Sequence, residues 1–403
     1  MQLFSKERFW QRQDLRPSYD VVVIGGGAHG LAAAYYLGKN HGIRSVAVLE
    51  KNYIGSGSSG RNTAILRSNY RTPEGIHFYD ASIKLYEGLS EELGWNVLFT
   101  QCGHLTLAHS DSSVTGLRVR AENNQMLGVD SRIIYPEEIQ RLLPGVNLSR
   151  QARYPILAGL YHPPGGIIRH DAVVWGYARG CARMGIEVHP HTEVTGFDLE
   201  GGKITGVLTS RGRVAAGTVL NATAGWATTI SEMAGVPLPI VTHPLQACVT
   251  EPLKPFLKAV VVSATLHVYL SQTDKGELVI GAEIDPYQSY SMKSTLTTLE
   301  QMATYTLELF PQLRAVRVLR QWTGICDMTP DFAPIMGVAR EVGNFCMDVG
   351  WGTYGFKASP IAGKCMAELI ATGSLPSLIK PFSPDRFRTG KLVGEKAAAA
   401  VSH

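Results

Sequence analysis

Tyr19-Asp-Val-Val-Val-Ile-Gly-Gly-Gly-Ala-His-Gly30 decides the reading of this chain. Val21 to Ile24 form the β-branched run that a strand buried on both faces needs, and Gly25, Gly27 and Gly30 follow at the G-x-G-x-x-G spacing. Gly25 permits the tight turn out of the strand, Gly27 lets a pyrophosphate approach the backbone, and Gly30 allows close helix–strand packing. The helix starting near His29 then offers free N–H groups and its positive dipole end to phosphate. A second apolar strand, Ser45 to Leu49, ends in Glu50, twenty residues beyond Gly30. A carboxylate there accepts from both hydroxyls of an adenosine ribose and repels a 2′-phosphate, so FAD or NAD is expected and NADP is not.

Working outward, Lys51 to Arg67 is a small-residue loop with two arginines near its end, without regular structure before Asn62, and suited to lie against a large flat cofactor. Residues 73 to 93 have helical apolar spacing, Gly103 to Ala108 reads as a strand, and Tyr135 to Leu143 as a short helix. The segment 158 to 199 returns to nucleotide-domain character, with Asp171 as N-cap of a helix from Ala172 to Met184. Glu187 to His189, Glu193 to Leu199 and Lys203 to Thr209 are strands, the last two joined at Gly201-Gly202, and Thr218 to Trp226 is a buried strand broken at a glycine. From Pro237 to Asp327 alternating strands surround a helix of about Ser294 to Phe310, which indicates a second, roofing sheet. Asn344 to Val349 is a last buried strand, Gly350 to Lys357 its exit loop, and Ala358 to Thr372 a helix.

At 403 residues the chain is too long for one simple core. A net charge of +4, with no Lys/Arg run, gives no case for nucleic acid. Lys6, Glu7, Arg8, Arg12, Asp14 and Arg16 interrupt any secretory apolar region, and no uncharged stretch approaches the length of a membrane helix, so a soluble cytoplasmic protein is expected. The six cysteines show neither C-x-x-C pairs nor metal spacing, which points to buried thiols and no metal site.

The glycine turn, Asn221-Ala-Thr-Ala-Gly225, the Trp322 to Gly337 stretch and the Gly350 to Lys357 loop together resemble the D-amino-acid oxidase and sarcosine oxidase family of flavoproteins, over about Tyr19 to Thr372. Lys39-Asn-His-Gly42, Leu49-Glu-Lys51, Arg61 to Tyr70 and Arg169-His170-Asp171 are similar to the β subunits of its heterotetrameric members. The resemblance implies an α/β fold: a Rossmann-like FAD-binding domain from residues 19–95, 150–228 and 328–403, and an α+β substrate domain from 96–149 and 229–327 on an antiparallel or mixed sheet. It implies noncovalent FAD held by Ala28, His29, Glu50, Lys51, Arg61, Asn62, Ala64, Ile65, Val194 and Thr353 to Lys357, Gly355 and Phe356 included. It implies FMN bonded to His170 at the junction with a large alpha subunit, which carries NAD and a tetrahydrofolate site, with gamma and delta subunits completing the assembly. Sarcosine oxidised to glycine and a formaldehyde-level one-carbon unit, with electrons passing from FAD to FMN and on to oxygen as peroxide, is the implied reaction. A dehydrogenase subunit for proline, hydroxyproline, an opine or N-methylglutamate is the rival.

Such a reaction removes a hydride equivalent from the carbon next to nitrogen, so the protein's task is to orient a carboxylate over the flavin rather than to perform acid–base work. Arg67 offers a planar fork and Lys357 a compact charge for that carboxylate; the alternative for each is a structural cation. Tyr70 and His267 either line the pocket or are structural, and a histidine is also a candidate base for keeping the amine neutral. Arg169 would hold a phosphate or steady a reduced flavin. Leu278 to Glu283 lacks the strand lysine that single-chain members are thought to use toward oxygen, which favours electron export from FAD.

Overall fold

The computed structural model describes residues 13–395. Lys6, Glu7, Arg8 and Arg12, four of the six charges on which the expectation of no secretory leader rested, and residues 396–403 lie outside them.

The chain opens as expected: β1 (Ser18–Ile24), α1 (Ala28–His41) and β2 (Val46–Leu49) form a parallel βαβ unit with Val21 to Ile24 opposite Val46 to Leu49. Four helix ends among the described residues are closed by glycines in the left-handed region, among them Gly42 after α1 at φ 69°. The loop after β2 contains a 3-10 turn, Ser58–Gly60, where no regular structure was expected. The short strand β3 (Ile65–Leu66) then leads to α2 (Pro73–Leu93), whose N-cap Thr72 accepts from Gly75 N–H at 3.1 Å. The strand β4 (His104–Ala108) is followed by α3 (Asp111–Met126), a helix without an apolar stripe.

Next come β5 (Arg132–Ile134), α4 (Pro136–Leu142), β6 (Ala158–His162), β7 (Gly166–Ile167) and α5 (His170–Arg183). Two expectations are corrected here. The strand at 158–162, expected with the nucleotide-binding half, pairs antiparallel with β4 and β5, so the 150–228 segment is split between the two sheets. Arg169, not Asp171, is the N-cap of α5; Asp171 sits in the first turn, where its charge favours the dipole without capping.

The remaining strands are β8 (Glu187–His189), β9 (Val194–Glu200), β10 (Lys203–Thr209), β11 (Gly212–Asn221), β12 (Val241–Pro252), β13 (Val260–Ser263), β14 (Val268–Gln272), β15 (Glu277–Ile284), β16 (Val318–Met328), β17 (Ile335–Val338) and β18 (Phe345–Val349). The helices α6 (Ala227–Met233), α7 (Leu296–Leu309) and α8 (Gly355–Thr372) complete the framework. The presumed exit loop is shorter than expected, because Gly355, Phe356 and Lys357 already form the first turn of α8.

The first sheet runs β17-β18-β11-β1-β2-β8, parallel except at β17, with the β9–β10 hairpin extending from β11. The second runs β16-β12-β15-β14-β13-β4-β6-β5, antiparallel except where β13 meets β4. The fold is thus α/β with a second, mixed sheet. Helix α1 packs beside α8, both against the first sheet, so closely that a Cβ on Gly363 would stand 2.5 Å from Ala32 Cβ. Past α8 the chain returns across the body: Arg386 pairs with Asp331 at 2.7 Å, and the buried Glu395 accepts from Thr72 N–H at 3.0 Å. No helix among the described residues is long and apolar enough to cross a membrane, and no His/Cys/Asp/Glu group among them is placed to hold a metal.

Candidate functional site

A cavity of about 630 Å³ is lined from both sheets. Of the residues singled out in the sequence, Gly25, Gly27, His29, Glu50, Lys51, Arg61, Asn62, Ala64, Ile65, Arg67, Val194, His267, Thr353, Gly355, Phe356 and Lys357 all line it. The glycine turn and the start of α8, more than three hundred residues apart in the chain, therefore share one space.

Each end of that space has a local cause. Gly25 adopts φ 111°, and a Cβ there would lie 2.4 Å from the Ala222 carbonyl oxygen, so only glycine fits where β1 leaves the sheet. Glu50 accepts from Gly26 N–H at 3.0 Å and from Asn52 N–H at 2.9 Å, which holds the carboxylate rigid at the end of β2. Lys51 Nζ lies 3.8 Å from the centre of the Trp226 ring, a cation–π contact that fixes a second wall. Arg61 donates to Ser56 O at 3.2 Å, and Trp322 Nε1 donates to Arg61 O at 2.8 Å, tying the loop to β16. Ala64, Ala224 and His267 line the cavity with φ near 50°, a conformation that non-glycine residues hold only where their surroundings enforce it.

Where α8 begins, Ser82 and Tyr86 on one face of α2 donate to the carbonyls of Lys357 and Phe356 at 2.6 and 2.7 Å. Neither Gly27 before α1 nor Tyr354 before α8 supplies a side-chain cap, so two positive helix ends face the cavity. His29 spans them: Nε2 donates to Gly355 O at 2.8 Å and Nδ1 meets Asp348 Oδ2 at 3.0 Å. Burial pulls the His29 pKa down, but the Asp348 carboxylate outweighs it and the net shift is upward. Asp327, which accepts from Gly350 N–H at 2.6 Å, is pushed up to about 6 by burial.

The opposite end is cationic. Arg67 is 4% exposed and Lys357 9%, and neither forms an ion pair among the described residues. Burial, followed by the Arg67 charge, pulls Lys357 down to about 7. His104 and Thr106, alternate residues of β4, share this wall, and Tyr269 reaches it from β14 by lying across Gly281 on β15. Burial, then the charges of Arg67, His162, Arg120 and Lys357, drives the His104 pKa far below its ordinary value and keeps the ring neutral. His104, Thr106 and Tyr269 escaped the sequence reading, because a polar residue alternating with Leu105 and Leu107 reads as a solvent face when it faces an interior cavity.

Lys357 carries a stability consequence. Its folded-state pKa lies below the unfolded value, so the cost of burying its charge is fully present below about pH 7 and is relieved as pH rises toward 10.5. In the substrate-free protein, Lys357→Met is expected to raise the unfolding temperature by about a few degrees at pH 6 and by much less at pH 9.5. Thermal melts of both proteins at the two pH values check this.

Five expected residues stand elsewhere. Ala28 is fully buried and donates its N–H to Ser59 Oγ at 2.9 Å, while a Cβ on Gly30 would sit 2.0 Å from the Gly25 carbonyl oxygen. Tyr70 is fully buried, stacked on Tyr79 with centroids 3.9 Å apart and under the Arg67 guanidinium at 4.4 Å, so it backs the arginine without lining the cavity. Arg169 pairs with Asp171 at 3.4 Å, and His170 lies outside the cavity, with its ring 6.4 Å from that of the cavity-lining Phe356. Burial lowers the His170 pKa, leaving a neutral imidazole.

Comparison with known proteins follows the same lines. The family model described as FAD dependent oxidoreductase (DAO) matches residues 20–369. The chain is 45% identical over 397 residues to sarcosine oxidase subunit beta of Arthrobacter sp, covering 98% of each chain. It is 44% identical to the protein of the same name from Rhodobacter capsulatus, covering 98% of this chain and 95% of that one. L-proline dehydrogenase from P. horikoshii, a solved structure 31% identical, matches 94% of this chain and 100% of its own with a TM-score of 0.87.

Proposed function

This chain belongs to the family of FAD-dependent oxidoreductases and is an FAD-dependent amine oxidoreductase, and on that premise we propose that it oxidises sarcosine as the beta subunit of a larger assembly. The observation that carries the substrate is the pair of buried cations, Arg67 and Lys357, on one cavity wall, neither paired with a carboxylate among the described residues. A small amino acid fits that wall: the carboxylate takes the arginine fork and the lysine charge, while the neutral His104 adds no further positive charge beside it.

The residues present fit FAD. Two uncapped helix ends, the glycine turn that a Cβ would close, and Glu50 at the end of β2 favour a dinucleotide; Gly25, Gly27, His29, Glu50, Lys51, Arg61, Asn62, Ala64, Ile65, Val194, Thr353, Gly355 and Phe356 would hold it. The chemistry a bound FAD supplies is acceptance of a hydride equivalent from the N-methyl carbon, with onward passage of electrons to FMN joined at His170 and then to oxygen. A neutral His170 one ring away from the cavity suits that attachment, and Arg169 beside it provides a cation. In this reading the first sheet with its helices is the FAD-binding half and the second the substrate-binding half. Alpha, gamma and delta subunits complete a cytoplasmic heterotetramer, with NAD and tetrahydrofolate on alpha; the relatives' designation as subunit beta supports an assembly.

The test is anaerobic addition of sarcosine to the purified flavoprotein, which should bleach its visible absorbance. Proline bleaching it where sarcosine does not would move the assignment to a proline dehydrogenase subunit, the reading favoured by the likeness to L-proline dehydrogenase. His170→Ala should keep the bleaching, lose turnover with oxygen, and leave no yellow colour in the acid-precipitated protein; undiminished oxygen turnover would rule out the relay.

A further inference from the structure

Behind Arg67 stands a second buried arginine from the helix α3. Its buried positions Leu117, Arg120, Ala121 and Asn124 form one stripe, and half of that stripe is polar. Arg120 is 5% exposed and does not line the cavity. Its Nε donates to the Asn69 carbonyl at 2.7 Å, and its Nη2 donates to the same oxygen and to Asn69 Oδ1 at 3.1 Å. Arg67 Nη1 donates to the same two oxygens, at 3.2 and 3.1 Å. One turn further along α3, Asn124 Nδ2 donates to the Tyr70 carbonyl at 3.0 Å. Two guanidinium groups thus converge on one fully buried asparagine, with α3 holding its carbonyl and that of Tyr70 after it.

This is a costly arrangement for a merely structural clamp. Two like charges share two acceptor oxygens in a desolvated place, and neither pairs with a carboxylate among the described residues. The groups facing Arg120 are Arg67, Arg71, Tyr70 and Glu395, and burial, then Arg67, pulls it down to about 9. A carboxylate arriving at Arg67 relieves the repulsion. Without the clamp, Asn69 is free to turn and Arg67 loses the contacts that fix its fork.

We propose that Arg120 is a positioning residue for the substrate: acting through Asn69, it fixes the guanidinium of Arg67 and sets the affinity of the site for carboxylates without touching them. This rests on the reading of Arg67 as the carboxylate ligand. A structural role alone would lower stability and flavin content but leave ligand affinity in the folded fraction unchanged.

The experiment compares the flavin-loaded protein with its Arg120→Met, Arg120→Lys and Arg67→Met variants, using acetate and sarcosine as probes. Acetate affinity is read from perturbation of the flavin spectrum, and sarcosine affinity and limiting reduction rate from anaerobic mixing. Arg120→Met is expected to weaken both affinities about tenfold with the limiting rate within about threefold, and Arg120→Lys, which keeps charge but not fork, to fall between. Unchanged affinities in Arg120→Met, with weakened ones in Arg67→Met, overturn the proposal. Unchanged acetate affinity in Arg67→Met overturns the carboxylate reading itself. Should Arg120→Met fail to fold, Arg120→Lys decides: wild-type acetate affinity there overturns the proposal, and weakened affinity at wild-type flavin content supports it.

Discussion

Replacing Arg67 with methionine is expected to lower kcat/KM for sarcosine by about two to three orders of magnitude, the cost of removing one partner from a buried charge pair. Arg67 is buried to 4% exposure, its guanidinium is held by Asn69 and backed by the Tyr70 ring, and no carboxylate among the described residues pairs with it. Nothing else on that wall offers a planar fork, so Lys357 alone would hold the carboxylate loosely and the N-methyl carbon would lose its alignment. The same change removes one of the two causes that depress Lys357, the other and larger being burial, so the lysine should stay protonated to higher pH in the variant. Anaerobic stopped-flow reduction across a sarcosine series measures the loss; a change below about tenfold would remove Arg67 from the carboxylate site.

The second large effect is expected at the glycine turn. Gly30→Ala places a methyl group 2.0 Å from the Gly25 carbonyl oxygen and 3.1 Å from Val23 Cγ1, and both belong to the rigid β1 turn. The start of α1 must then move away from the strand end, and its N–H groups leave the place where a pyrophosphate sits. Flavin content per chain after gel filtration should fall by about tenfold or more, since the loss touches both the turn and the dipole contact. Gly88→Ala is the control: this helical glycine has open space around its Cβ, and that variant should keep its flavin.

The dinucleotide turn was legible because its chemistry is local: strand, glycines and acidic strand end follow one another within about thirty residues, and each glycine answers to a steric demand. Arg67 and Lys357 were legible as types, a fork and a point charge beside a flavin. Their common wall was legible only through the family resemblance, because spacing says nothing about contact across almost three hundred residues. Helix α3 escaped because its inward stripe includes Arg120 and Asn124, which pattern reading takes for surface. The membership of β6 in the second sheet was hidden because Ala158 to His162 is buried almost throughout, and a run without alternation does not say which sheet it joins. The start of α8 was misplaced because Gly355-Phe-Lys357 lacks a capping side chain and so looks like loop.

The interleaving of the first sheet has a bearing on biosynthesis. Its strand β11 is completed on one side by β1, made early, and on the other by β18, made after the whole second sheet has been translated. The nascent N-terminal unit therefore emerges with a recognisable turn but without the wall that α8 supplies. The cavity for the prosthetic group is therefore closed only once α8 has been made and packed, however early the glycine turn forms.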